Sequence, residues 1–271
     1  MGLRVEWPDV VRLPESVQGS NTQMKPDIHV AAFRNGDHIC LFYRDVEEQL
    51  STAVPFVQLG LLRGECCLCV LPDDRMGSFM SYLRGAGVDT EKEIARGALL
   101  TAKPEDSYLS GGSFDRGQMV SFLDSHMHEA LRAGFTAFRG TGDLSWAVKD
   151  TNTCGHVSEY EAMLDSYYPG KPALGICMYD ANLLDEAQLN RIIAAHRLAL
   201  TVPSTNKRAI RIRNGVAFGD VIFDRASAHL FHYTVQKTGR NELFSVGQEE
   251  TLTAAMDAVE AALLSLQRAT C

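Results

Sequence analysis

Short apolar runs and helix-period apolar stripes alternate along the chain between residues 38 and 202. The runs at 39–43, 66–71, 98–102, 135–140, 172–180 and 198–202 read as strands. The intervening segments read as helices. In 46–62, Leu50, Val54, Val57 and Leu61 recur at helical spacing. Pro55 lies inside that stripe, so a kink or a lost hydrogen bond is expected there. A short helix ended by glycines follows from Met76. In 115–134, Val120, Leu123, Met127 and Leu131 share one face and Gly134 is the stop. Two more helices are expected at 154–170 and 185–196. Near-continuous apolar strands separated by helices are the pattern of a parallel sheet covered on both faces. The expectation is a three-layer, mainly parallel α/β domain over 37–202 with right-handed crossovers.

The pattern changes after 203–205. Asn214-Gly215 stands between two alternating segments, a hairpin signal. Further strands are expected at 229–236 and 242–247, then a helix at 250–267. That helix carries Leu252, Met256, Val259, Leu263 and Leu266 at a spacing read as a core stripe rather than a dimer seam. Residues 203–271 thus read as a small α+β module or an antiparallel extension of the main sheet. Residues 1–36 are polar and turn-rich and read as a partly flexible leader.

Composition narrows the function. With 271 residues, 45% of them hydrophobic, the chain can build a core without staples. A net charge of −8 argues against direct nucleic-acid binding, because phosphate contacts need a basic face. No apolar run approaches a membrane span, and the N-terminus lacks a secretion signal. Glu6 excludes a myristoylation motif. Seven cysteines, three of them in Cys66-Cys67-Leu68-Cys69, do not make a disulfide framework, so a reducing cytoplasm is expected.

Candidate chemistry follows from the rule that open parallel sheets bind ligands beyond the carboxyl ends of their strands. Those ends deliver Tyr43, Arg139, Asp143, Trp146, Tyr179 and Asp180, a mouth suited to a small, partly apolar ligand. Arg139 has two readings: a pair with Asp143 or Asp180, or a fork for an anion. Trp146 is either an aromatic wall or a core anchor. Glu161 is placed within reach of the crevice. His38 and Cys40 share a strand face, and Cys177 is a core or reactive thiol. The expected ligand-binding set is therefore His38, Tyr43, Arg139, Asp143, Trp146, Glu161, Cys177, Tyr179 and Asp180. No C-x-x-C or H-x-x-x-H spacing occurs among these, so neither a metal nor a cofactor is expected. His196 ends a helix, where the dipole favours a cation. Between the first strand and the first helix there is no glycine and no Gly-Lys-Ser/Thr, so a phosphate loop is missing from the place where many nucleotide-binding folds carry one.

The ordered segments "GDHICLFYRDVEEQL", "VPFVQLGLLRGECCLCVLPD", "SYLSGGSFD", "ALRAGFTAFRGTGDLSWAV" and "ALGICMYD" resemble the MEDS domain, the sensory domain of methanogen and methylotroph regulators, over about residues 36–201. The segment "AAHRLAL" lacks the proline of the family's usual ending. The resemblance implies a RecA/KaiC-like fold that has lost its phosphate loop, with Tyr43-Arg44-Asp45-Val46-Glu47 in its place. It also implies sensing of small molecules, hydrocarbon derivatives such as dichloromethane among them. Many relatives carry a DNA-binding or kinase module; none is read here, which leaves an indirect output or one through 203–271. The expectation is a non-enzymatic cytoplasmic sensor that signals to a regulatory protein partner, with a homodimer among its forms. Two alternatives are a residual nucleotide hydrolase or carboxylate-dependent enzyme using Asp143 and Glu161, and a scaffold with a vestigial pocket.

Overall fold

The computed structural model describes residues 30–149, 151–201, 207–214, 217–224, 231–237 and 243–268. Residues 1–29 of the expected leader, the 203–205 boundary and Gly215 lie outside the described residues. The mainly parallel part contains β1 (His38–Tyr43), α1 (Val46–Leu62), β2 (Cys66–Val70), α2 (Asp73–Gly85), α3 (Thr90–Ala95) and β3 (Leu99–Ala102). It continues with α4 (Arg116–Arg132), β4 (Phe138–Asp143), α5 (Ser145–Lys149), α6 (Thr151–Tyr167), β5 (Ala173–Asp180), α7 (Glu186–Ala195) and β6 (Leu198–Thr201). The chain then forms β7 (Lys207–Arg213), β8 (Ala217–Asp224), β9 (Phe231–Lys237), β10 (Leu243–Glu249) and α8 (Leu252–Arg268).

The ten strands among the described residues join one sheet, in the order β10-β9-β8-β7-β6-β1-β5-β4-β2-β3. Every pair among the first six strands is parallel. β7 joins β6 antiparallel, and β8, β9 and β10 continue that way. The residues after 203 thus extend the same sheet. Strand alternation divides the core in two. Ile39, Leu41, Leu174, Ile176 and Met178 meet α1, α2 and the Leu252–Leu266 stripe of α8. Cys40, Phe42, Phe138, Cys177 and Tyr179 meet α4, α5, α6 and α7.

Two features depart from the sequence pattern. β4 begins three residues later than the apolar run suggests and ends on Arg139-Gly140-Thr141-Gly142-Asp143. That segment is a poor strand former alone. It is held because β2 and β5 pair with it on both sides. The short helices α3 and α5 carry too little periodicity to be read. α3 is marked instead by its cap, the Asp89 carboxylate accepting from the Lys92 N–H at 3.1 Å. α1 runs continuously through Pro55.

Arg139 does not pair with Asp143 or Asp180. It points under α1, 1% exposed, and donates from Nε to Glu65 Oε2 at 2.6 Å and from Nη1 to the Phe56 carbonyl at 3.1 Å. Its guanidinium lies 4.4 Å from the Phe56 ring centre. A Cβ on Gly60 would come within 2.7 Å of Arg139 Nε and of Cys67 Sγ, so glycine there is what lets α1 close over the pair. Removing one partner of a buried pair leaves an uncompensated charge. Glu65→Ala is expected to cost about 3–5 kcal/mol in urea unfolding. The double variant Glu65→Leu with Arg139→Met should regain most of that loss, since it leaves no charge behind.

Candidate functional site

Alternation along β1, β4 and β5 sorts the sequence-derived site residues into separate places. Tyr43, Arg139 and Asp143 leave the sheet on the α1 side, whereas His38, Cys177 and Tyr179 leave it on the α6 side. No single crevice collects them.

At the carboxyl ends of β1 and β4, Asp143 is 2% exposed and fully engaged. Its Oδ2 accepts from Tyr43 OH and from Gln49 Nε2, both at 2.8 Å, and its Oδ1 accepts from the Ser145 N–H at 2.8 Å. Ser145 Oγ lies 3.0 Å from Tyr43 OH and accepts from the Asp180 N–H at 2.8 Å. Burial, then the Asp143 charge, push the Tyr43 phenol far up, so it stays a donor. The Asp180 carboxylate turns outward and caps the short turn at Asn182, accepting from its N–H at 2.9 Å. The mouth expected from sequence is therefore a closed, satisfied polar network.

The β1–α1 junction is closed as well. Asp45 accepts from the Glu48 N–H at 2.8 Å, and Glu48 reaches back to the Arg44 N–H at 2.8 Å. This reciprocal cap fills the helix N-terminus with carboxylates, where a phosphate loop would present bare amides.

The second cluster lies on the other face. Glu161 is fully buried, and its Oε2 lies 3.0 Å from both His38 Nε2 and His196 Nε2. Tyr179 OH donates to Glu161 Oε1. Cys177 Sγ sits 3.5 Å from His38 Nε2. The two imidazoles stack with centres 4.3 Å apart. His196 Nδ1 faces the Ile192 carbonyl at 2.8 Å, and His38 Nδ1 lies 3.5 Å from Asp165 Oδ1. Burial alone would raise the Glu161 carboxyl, but the two imidazoles override it and hold Glu161 far below the usual carboxylate range. Burial works against a charged His196; the Cys40 sulfur and the Glu161 carboxylate outweigh it and push that imidazole up to about 9. His38 is raised too, its burial outweighed by Asp165 and Glu161. Burial, reinforced by Glu161, drives the Cys177 thiol upward. His38, Glu161, Cys177 and His196 are the described residues able to hold a metal ion. His196 is not in the sequence-derived set. It ends α7, as expected there, but packs inward instead of facing solvent.

Between β4, β5 and the α4–α6 layer lies a cavity of about 20 Å³, bordered by Cys177, Tyr108, Tyr160, Tyr168, Leu123 and Gly140. Three glycines, Gly140, Gly142 and Gly175, lie on its sheet side. A Cβ on Gly142 would meet Tyr108 OH at 2.2 Å, and one on Gly175 would meet Tyr168 OH at 2.4 Å, so both phenols lie directly on the backbone. Gly140 alone leaves ordinary space, 3.4 Å to Tyr168 OH. Trp146 stands beside this cavity in an aromatic group, 5.6 Å from both Tyr108 and Phe114 between ring centres. Its indole N–H has no partner among the described residues.

The family model of the methanogen/methylotroph, DcmR sensory domain matches residues 37–197. No curated protein matches the chain. A crystal structure of an uncharacterised Pyrococcus horikoshii protein in complex with an unknown peptide is 11% identical, with a TM-score of 0.50, covering 76% of this chain and 94% of that one. A KaiC-like protein of the same archaeon is 12% identical, with a TM-score of 0.44, covering 80% and 85%. At this identity the first shares the fold alone.

Tyr43→Phe removes one of three donors to the buried Asp143 carboxylate. It is expected to cost about 1–3 kcal/mol in denaturant unfolding. Asp143→Asn in the Tyr43→Phe background should then cost less than it does in the wild type, since the two side chains act as one network.

Proposed function

Because the chain belongs to the MEDS family of sensory domains, we propose that it detects a small, largely apolar molecule in the glycine-floored cavity and signals occupancy to a regulatory protein partner in the cytoplasm. The observation that carries this reading is the cavity itself. Leu68, Val70, Met119 and Leu123 give it an apolar wall, while the phenols and the Cys177 thiol supply a few weak polar contacts. Of the ligand-binding residues expected from sequence, Cys177 alone lines it.

The cavity as it stands has room for about one water. A larger guest requires Tyr108 or Tyr168 to move off the glycine floor. Those rings belong to the Pro104–Asp106 turn region and to the end of α6, so their movement reaches the surface of that layer. A ligand that binds only the open arrangement shifts the balance between two states, which is what a partner reads. The acid-filled β1–α1 junction supports a non-enzymatic reading over nucleotide hydrolysis, because it opposes triphosphate binding. No helix among the described residues is long and apolar enough to cross a membrane.

Dichloromethane tests the reading. It is expected to raise the melting temperature of the wild-type chain in a concentration-dependent way. Gly140→Ala adds a methyl group to the cavity at ordinary contact distance. It should fold normally and lose the shift; a shift of undiminished size in that variant would place the ligand elsewhere.

A further inference from the structure

We propose that His38, Glu161, Cys177 and His196 form a buried four-ligand site for one divalent transition-metal ion of the zinc class. The site stands on ligand geometry and does not rest on the sensory reading. The four residues come from β1, α6, β5 and the end of α7, and the fold brings one ligand atom from each within 4.8 Å of all the others.

The separations lie close to those of a tetrahedral ligand shell. Tetrahedral zinc at ordinary bond lengths places nitrogen and oxygen ligands about 3.3 Å apart, and sulfur and nitrogen about 3.6 Å apart. Here the nitrogen–oxygen separations are 3.0 and 3.0 Å, and the sulfur–nitrogen separation is 3.5 Å. Yet Glu161 Oε2 and His196 Nε2, both buried and 3.0 Å apart, make no aligned hydrogen bond with any group. They approach each other as ligands directed at a shared point do.

The outer groups are arranged for the same purpose. The Ile192 carbonyl can only accept, so His196 keeps a proton on Nδ1, and loss of the Nε2 proton on metal binding turns that lone pair to the cluster. His38 places Nδ1 3.5 Å from the Asp165 carboxylate, an ion-pair approach without an aligned hydrogen bond, and turns its Nε2 inward. Tyr179 occupies Glu161 Oε1 and leaves Oε2 as the ligand. Metal-binding histidines and carboxylates are held in this way by carbonyls, carboxylates and hydroxyls behind them. Charge balances too. A divalent ion with one carboxylate, one thiolate and two neutral imidazoles sums to zero in a site that excludes water, and the Cys177 proton leaves to solvent on binding together with any proton on the two Nε2 atoms. Two imidazoles and a thiolate favour zinc-class ions over calcium or magnesium, and four protein ligands leave no open position.

The test uses the untagged full chain purified without chelator. Elemental analysis is expected to find about one zinc-class ion per chain. Stripping with a strong chelator should lower the melting temperature, and zinc should restore it. Cobalt loaded in place of zinc should show tetrahedral ligand-field absorption and a sulfur-to-cobalt charge-transfer band. In Cys177→Ser that band should vanish. In His196→Gln, metal affinity should fall at least about tenfold. Because either ligand change could unfold the chain, circular dichroism of each variant is compared with wild type. Tyr179→Phe keeps all four ligands and should still bind, more weakly. The proposal is overturned if the folded wild-type chain carries no metal and takes up no cobalt. It is equally overturned if folded Cys177→Ser and His196→Gln bind cobalt with wild-type spectra and affinity.

Discussion

The central strands β1, β4 and β5 are covered on both faces, so every side chain there but the terminal Asp180 is kept from water. Each polar group must be satisfied by whichever helical layer its alternation sends it to. Most of the chemistry in this protein is a solution to that constraint. Arg139 finds Glu65 under α1. Asp143 gathers Tyr43, Gln49 and the Ser145 amide. His38, Cys177 and Tyr179, sent to the other side, converge on Glu161 of α6. Moving any of these residues by one position along its strand would place it in the wrong layer with no partner.

The fold class was legible because its signal is long-range and redundant: six apolar runs with helical stripes between them. The strand with the weakest signal, β4, was displaced toward its apolar half, since Gly142 is required by Tyr108 across the layer and not by strand propensity. Part of the site was legible too. His38, Glu161, Cys177 and Tyr179 all belong to the sequence-derived set, and they do meet. Their grouping with Tyr43, Arg139 and Asp143 ignored parity: an even separation along a strand means the same face and an odd one the opposite face. That rule, applied to Cys177, Tyr179 and Asp180 in β5, separates Asp180 from the other two without a structure. His196 carried no such clue. Its partner Glu161 lies on another helix, and helix-end position alone favours solvent.

Cys177 connects the two halves of the functional argument. It borders the cavity and touches His38 in the cluster. Whatever displaces Tyr168 from the backbone at Gly175 also disturbs the ring that packs 5.5 Å from His38. Cavity and cluster therefore share a wall, and events in one are felt in the other through ordinary packing.

The acidic lock at Asp45 and Glu48 also limits what this helix end can be turned into. The Glu48 and Arg44 amides are already spoken for by two carboxylates that help start α1. Building a triphosphate cradle there would need those acids removed and a longer, glycine-bearing loop installed together, and removing the acids alone would weaken the helix start. A single substitution at this junction therefore trades stability for nothing.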